Sequence, residues 1–159
     1  MAGGWRHASL LLGSGVAGGF FLVALLVFAA HAQDVGQIKI SKGVVVIERS
    51  GQTLPAAVGA KVQAGDVLKT GADGSLGIVF SDASLLSAGP NSVLAIDKFV
   101  FDSTTNQGAF ESTLSKGTLS AVSGKIAKQS PDAMKVKTTA AVLGVRGTEF
   151  VVRAIGPGD

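Results

Sequence analysis

The chain reads as an all-β protein, and three observations lead there. Beyond residue 33, apolar and β-branched runs arrive about every nine or ten residues, each followed by Gly, Asp, Asn or Pro. That is the spacing of short strands joined by tight turns. Helical periodicity is absent from the same region, whereas alternation recurs, as at Leu76, Ile78 and Phe80. No exact internal repeat is present. A long solenoid is therefore not supported, and the arrangement expected is a sandwich, a roll or a short solenoid.

The opening of the chain obeys different rules. Met1 to Ser9 carries one permanently charged base, Arg6, and Leu10 to Phe28 holds no charge at all. Ala30-His31-Ala32 is a small-x-small cleavage signature, and polar sequence begins at Gln33-Asp34. This is the pattern of a secretory signal peptide over residues 1–32. An uncleaved inner-membrane anchor is the rival, since 19 uncharged residues can span roughly 30 Å of hydrocarbon. Cleavage is favoured by Gly13, Gly15, Gly18 and Gly19, which confine the dense apolar core to Phe20–Phe28. Residues 33–159 are then the folded domain, in the periplasm or outside the cell.

Losing residues 1–32 removes both histidines and the one tryptophan, from a chain with no cysteine or tyrosine. Thiol and imidazole catalysis are excluded, and so are metal sites built from His or Cys. Tryptophan and tyrosine platforms for sugars or bases are excluded too. An exported domain without disulfides must hold itself by its core, and this length buries roughly two-thirds of its surface. With Arg6 gone the formal charge falls from +3 to +2, too mild to imply nucleic acid. Lys116, Lys125, Lys128, Lys135 and Lys137 are offset only by Asp132 in their stretch. An anionic partner or a solvated, aggregation-resistant strand edge would each explain them, and the alternation with Met134 and Val136 favours the edge.

Taken in order, Gly36 to Arg49 reads as a strand or hairpin split by Lys42-Gly43. Ser50-Gly51-Gln52 is a turn, and Leu54-Pro55 leaves it extended. Val58–Val62 leads to Gly65-Asp66, where the aspartate bonds local backbone and launches Val67–Thr70. Gly71-Ala72-Asp73-Gly74 turns into the strand Ser75–Phe80. Ser81-Asp82 turns into Ser84-Leu85-Leu86, and Ala88–Asn91 into Ser92–Ile96. Phe99–Asp102 continues the sheet, Ser103–Gly108 is a polar hairpin loop, and Ala109–Leu114 returns. Lys116-Gly117 is a turn before Thr118–Val122, and Ser123–Pro131 is a flexible loop. Met134 to Thr138 alternates, with Met134 and Val136 inward. Val142 to Val152 is the stretch on which the domain is expected to centre. Gly144 and Gly147 bracket Arg146 at a bend or bulge, and Phe150 and Val152 share one face of a closing strand.

This ordered set resembles the FecR-domain family. Gly65-Asp66-Val67-Leu68-x-Thr70 is similar to the family's Gly-Asp entry, and Gly74-Ser75 through Phe80 and Asp82 to its next strand and turn. Leu86 to Leu94, through Pro90 and Ser92, is similar to its strand-Pro-strand segment. Leu114-x-x-Gly117-x-Leu119 and Val136-x-Thr138 follow, and Val145-Arg146-Gly147-Thr148-Glu149-Phe150 resembles the closing signature. The likeness spans about residues 36–153. Two local departures stand out: Ser81-Asp82-Ala83-Ser84 replaces a usual Asp-Gly, and Thr139 stands where proline is common. The family's name-giving regulator also has a cytoplasmic anti-sigma segment. This chain has nine residues before its apolar run, so no such arm and no direct anti-sigma role are expected.

What the resemblance implies is a non-enzymatic exported module that senses or signals through protein contacts. The alternative is a structural envelope component that self-associates through sheet edges. The signature residues Gly65, Asp66, Thr70, Gly117, Arg146, Gly147, Thr148 and Phe150 are expected to be structural, with Arg146 paired to Glu149 or an aspartate. An arginine fork offered to a partner's carboxylate is the competing reading. Asp66, Asp73 and Asp82 do not follow a calcium-loop spacing, so neither metal nor cofactor is expected. The partner expected is a protein of the periplasm or envelope, with a homo-oligomer left open. Membrane contact is expected only through an uncleaved leader.

Overall fold

The computed structural model describes residues 32–157, and the expected leader lies outside them but for its last residue. Twelve strands carry the described residues: β1 (Asp34–Lys42), β2 (Val45–Arg49), β3 (Gln52–Pro55), β4 (Lys61–Gln63), β5 (Val67–Thr70), β6 (Ser75–Phe80), β7 (Leu85–Ala88), β8 (Val93–Phe101), β9 (Gly108–Val122), β10 (Met134–Lys137), β11 (Val142–Gly144) and β12 (Glu149–Ala154). They form one mostly antiparallel sheet curled into two facing halves. The first half runs β4-β1-β6-β7-β9-β12, and the second β3-β2-β5-β8-β9-β10-β11. The all-β expectation holds, and of the arrangements expected the roll describes it best.

β9 belongs to both halves, and the fold depends on it. Its first part, Gly108–Lys116, pairs with β8 and β10, while Gly117–Val122 pairs with β7 and β12. Four of the chain's crossings between halves lie side by side, namely Lys42–Val45, Thr70–Ser75, Ala88–Val93 and Lys116–Gly117. Backbone bonds tie these crossings into a crease: Gly71 N–H to the Val44 carbonyl at 2.8 Å, Asn91 N–H to the Gly71 carbonyl at 3.0 Å, Gly89 N–H to the Thr118 carbonyl at 3.0 Å. Gly117 is required there. Its φ is +94°, and a Cβ would overlap Ser92 Oγ and lie 2.5 Å from Ser92 Cα.

The core fills the space between the halves. Ile38, Leu76, Ile78, Leu86 and Leu119 come from one, and Ile47, Leu68, Leu94, Ile96 and Leu114 from the other, all essentially inaccessible. Phe80 reaches across to Phe110 with ring centres 4.6 Å apart, and Phe99 completes the cluster 5.1 Å from Phe110. The alternation seen at Leu76, Ile78 and Phe80 is therefore the inward face of β6.

Several local expectations are met. Ser50 and Gly51 both have positive φ, 50° and 77°, and form the two-residue loop of the β2–β3 hairpin. Met134 and Val136 point inward as expected. Others need correction. β1 and β2 do not pair with each other, because the Lys42–Val45 crossing sends them to opposite halves. Lys116-Gly117 is a bend inside one 15-residue strand. The strand expected at Ser92–Ile96 and the segment from Phe99 are one strand, β8, which starts at Val93 and has a bulge between Ile96 and Lys98. The expected flexible loop contains a short helix, α1 (Lys125–Gln129), with Ile126 and Ala127 buried. Five residues are too few to show a helical period. β10 is not an edge, since it lies between β9 and β11, and Lys137 bonds Glu111 at 2.9 Å. Val142–Val152 is peripheral, because its strands lean on β9 and β10.

Candidate functional site

Asp66 sits where β4 hands over to β5, and its carboxylate is 1% exposed. Arg49, at the end of β2, donates to it through Nε and Nη2, each at 2.7 Å. The Gln63 N–H adds a third bond at 2.8 Å, and Arg49 Nη2 also reaches the Lys61 carbonyl at 2.9 Å. A planar fork on a carboxylate is the geometry that makes burying this charge tolerable. The hydrogen bond to Asp66 also raises the Arg49 pKa above its ordinary value, against the opposing effect of burial. Beside it, Gly65 has φ +92° and donates to the Ile96 carbonyl at 2.6 Å. The turn role expected for Asp66 is present, but the arginine that completes it was not legible in the sequence.

Thr70 and Gly117 meet at the crease. Thr70 Oγ1 donates to the Gly89 carbonyl at 2.6 Å and accepts from the Ser92 N–H at 2.9 Å. Ser92 Oγ in turn accepts the Thr118 N–H at 3.1 Å. Drawn from three separate parts of the chain, Thr70, Ser92 and Thr118 share one hydrogen-bonded knot.

The closing signature lies at the other end of β9. Val145 is buried and donates to the Met134 carbonyl at 3.0 Å. Gly147 has φ +130°, and a Cβ there would meet nothing within 4 Å, so its need is for backbone conformation alone. The Thr148 carbonyl accepts the Ser123 N–H at 2.8 Å, and Ser123 Oγ donates to the Gly147 carbonyl at 2.7 Å. Phe150 is half-buried and Val152 buried, while Glu149, Val151 and Arg153 face out, as the alternation predicts. Arg146 departs from expectation. It is exposed, and among the described residues no ion pair joins it to Glu149 or any aspartate. Beside it runs a groove of about 210 Å³ lined by Leu143–Arg146 and Phe150–Val152. Val151 in its lining is 66% exposed, and Val142, next in the chain to Leu143, is 63% exposed.

A family model described as FecR protein matches residues 66–158. The chain belongs to the FecR family. FecR domains are known in envelope signalling regulators. Neither the curated proteins nor the solved structures give a match. The match starts at Asp66, so β1 to β4 precede it, although β1 and β2 are interior strands of the sheet and Arg49 neutralises the first matched residue.

The departures from the FecR pattern now have a geometry. Ala83 stands in the usual Asp-Gly turn with φ +66°, a left-handed conformation that glycine would adopt without strain. Asp82 before it is fully buried. It accepts from Ser84 N–H at 3.0 Å, Ser84 Oγ at 2.7 Å and Ile126 N–H at 3.3 Å, and its carbonyl accepts the Lys125 N–H at 2.8 Å. Asp82 is thus the peg on which α1 is hung. At the second departure Thr138 Oγ1 accepts the Ala140 and Ala141 N–H groups, which turns the chain without a proline. Asp66, Asp73 and Asp82 are not brought together. Among the described residues no group of three His, Cys, Asp or Glu is placed to hold a metal. No helix among the described residues is long and apolar enough to cross a membrane.

Proposed function

We propose that this FecR domain is exported and works in the periplasm as a non-enzymatic protein-binding module, with the Arg146 loop and β11 as its contact surface. One observation carries the reading: Arg146 is exposed and, among the described residues, without an ion pair, at the lip of a groove lined by Leu143, Phe150 and Val151. An arginine fork beside apolar surface suits a peptide segment that pairs a carboxylate with apolar side chains. The family's place in envelope signalling and the signal-peptide pattern of residues 1–32 support export. Intact mass of the periplasmic product should begin at Gln33.

A non-enzymatic role is supported by the residues themselves. Histidine and cysteine are lacking beyond residue 32, and the buried carboxylates of Asp66 and Asp82 are committed to Arg49 and to α1. The test is Arg146→Ala. It should melt within about 2 °C of the wild type, as surface substitutions without partners do. As bait in periplasmic extract it should lose the protein the wild type retains. A fall in melting temperature of roughly 5 °C or more would show the arginine to be structural.

A further inference from the structure

β12 ends the first half of the sheet and, among the described residues, is paired on one side only, to β9. The phase of that bonding is fixed by the Ser123 N–H on the Thr148 carbonyl at 2.8 Å. Bonded residues alternate in an antiparallel ladder, so Phe150, Val152 and Ala154 turn their backbone groups toward β9. Glu149, Val151 and Arg153 turn theirs to the open edge. The Thr118 carbonyl agrees: opposite Arg153, it is taken by Gly89 on the far side of β9.

Three other strands end the sheet halves. β4 and β11 have three residues each, and β3 has four including Pro55. Shortness and proline keep edges from pairing with other chains. β12 has six residues and neither device. Its outward side chains read Glu149, Val151, Arg153, a sequence that complements itself when reversed.

We propose that two copies of this chain join by antiparallel pairing of β12 with β12, about a two-fold axis through Val151. In that register Val151 meets its own copy, and Glu149 stands opposite Arg153 at both ends. The three residue pairs are those whose backbone groups face the open edge, each pair exchanging two N–H···O bonds. On the inner face Phe150 falls opposite the second copy's Val152, which carries the apolar surface across the joint. Sliding by two residues would set Glu149 against Val151 and leave Arg153 without its acid, so the charges select one register. The interface is isologous, as closed dimers require. It shares Phe150 and Val151 with the groove beside Arg146 but makes no use of the arginine, so Arg146→Ala leaves it intact.

The test is sedimentation velocity on protein purified from cells expressing the full chain. The wild type should show a concentration-dependent dimer. Glu149→Arg and Arg153→Glu each replace two attractions with two repulsions, and each should raise the dimer Kd about tenfold or more. Mixed in equal amounts the two variants should dimerise with each other, because arginine again faces glutamate at both ends. The double exchange Glu149→Arg/Arg153→Glu should dimerise by itself. Val151→Lys, at a 66%-exposed position, sets like charges on the axis and should be monomeric with an unchanged β circular dichroism spectrum. A wild type that stays monomeric up to roughly 1 mM overturns the proposal, where association would be worth about 4 kcal/mol or less. So do single exchanges that dimerise as the wild type does, or a mixture that stays monomeric.

Discussion

Removing the Asp66 carboxylate should show what the start of the FecR signature is for. Asp66→Ala takes an acceptor from three donors at once: Arg49 Nε, Arg49 Nη2 and Gln63 N–H. Breaking a buried ion pair from one side costs about 3–5 kcal/mol, mostly because the partner's charge is stranded. The Arg49 side chain is 27% exposed, so water softens that penalty toward about 3 kcal/mol. Losing the acceptor for Gln63 adds about 1 kcal/mol. Against a total stability of roughly 5–15 kcal/mol the loss is large. It should lower the melting temperature by roughly 10 °C or more, read by circular dichroism and by urea unfolding at pH 7. The double variant Arg49→Met/Asp66→Ala strands no charge, so it should be little worse than Asp66→Ala alone. The coupling energy from the cycle should be about 2 kcal/mol. A melting shift under about 3 °C for Asp66→Ala, or two single effects that simply add, would refute the account of this pair.

Other positions test other parts of the fold. Gly117→Ala drives a Cβ into Ser92 at the crease and should prevent folding, visible as loss of soluble protein. Gly147→Val meets open space and pays only for its backbone conformation, about 1–3 kcal/mol, so the variant should still fold but unfold at lower urea. Ala83→Gly relieves a left-handed alanine at φ +66° and should stabilise by about 1 kcal/mol in the same assay. The hydrogen bond from Lys137 holds the Glu111 pKa below its ordinary value. Its contribution is therefore present at neutral pH and lost as pH falls through the lowered value. Lys137→Gln should remove that part of the acid sensitivity, seen as a shallower loss of melting temperature between pH 5 and pH 3.

What depends on near neighbours could be read from the chain. Strand alternation, the Ser50-Gly51 turn, the inward faces of β6, β10 and β12, and the FecR signature were all legible. A side chain's face is set by the residue beside it, and a turn by its own two or three residues. The positive φ of Gly147 and Gly117 belongs here too, since glycine between strand residues signals a conformation others avoid. Which strand or side chain pairs with which was settled by long-range contacts in the folded sheet. Asp66 meets Arg49 across 17 residues and Asp82 bonds Ile126 across 44, and nothing local marks either partner. The same holds for β1 and β2, which look like a hairpin but part at the crease. It holds for Lys116-Gly117, whose turn chemistry serves as a bend because β9 has neighbours in both halves. Arg146 shows the limit most plainly. Its flanking glycines could be read from the chain, but whether a carboxylate waits beside it depends on where the folded sheet brings other strands, and among the described residues it brings none.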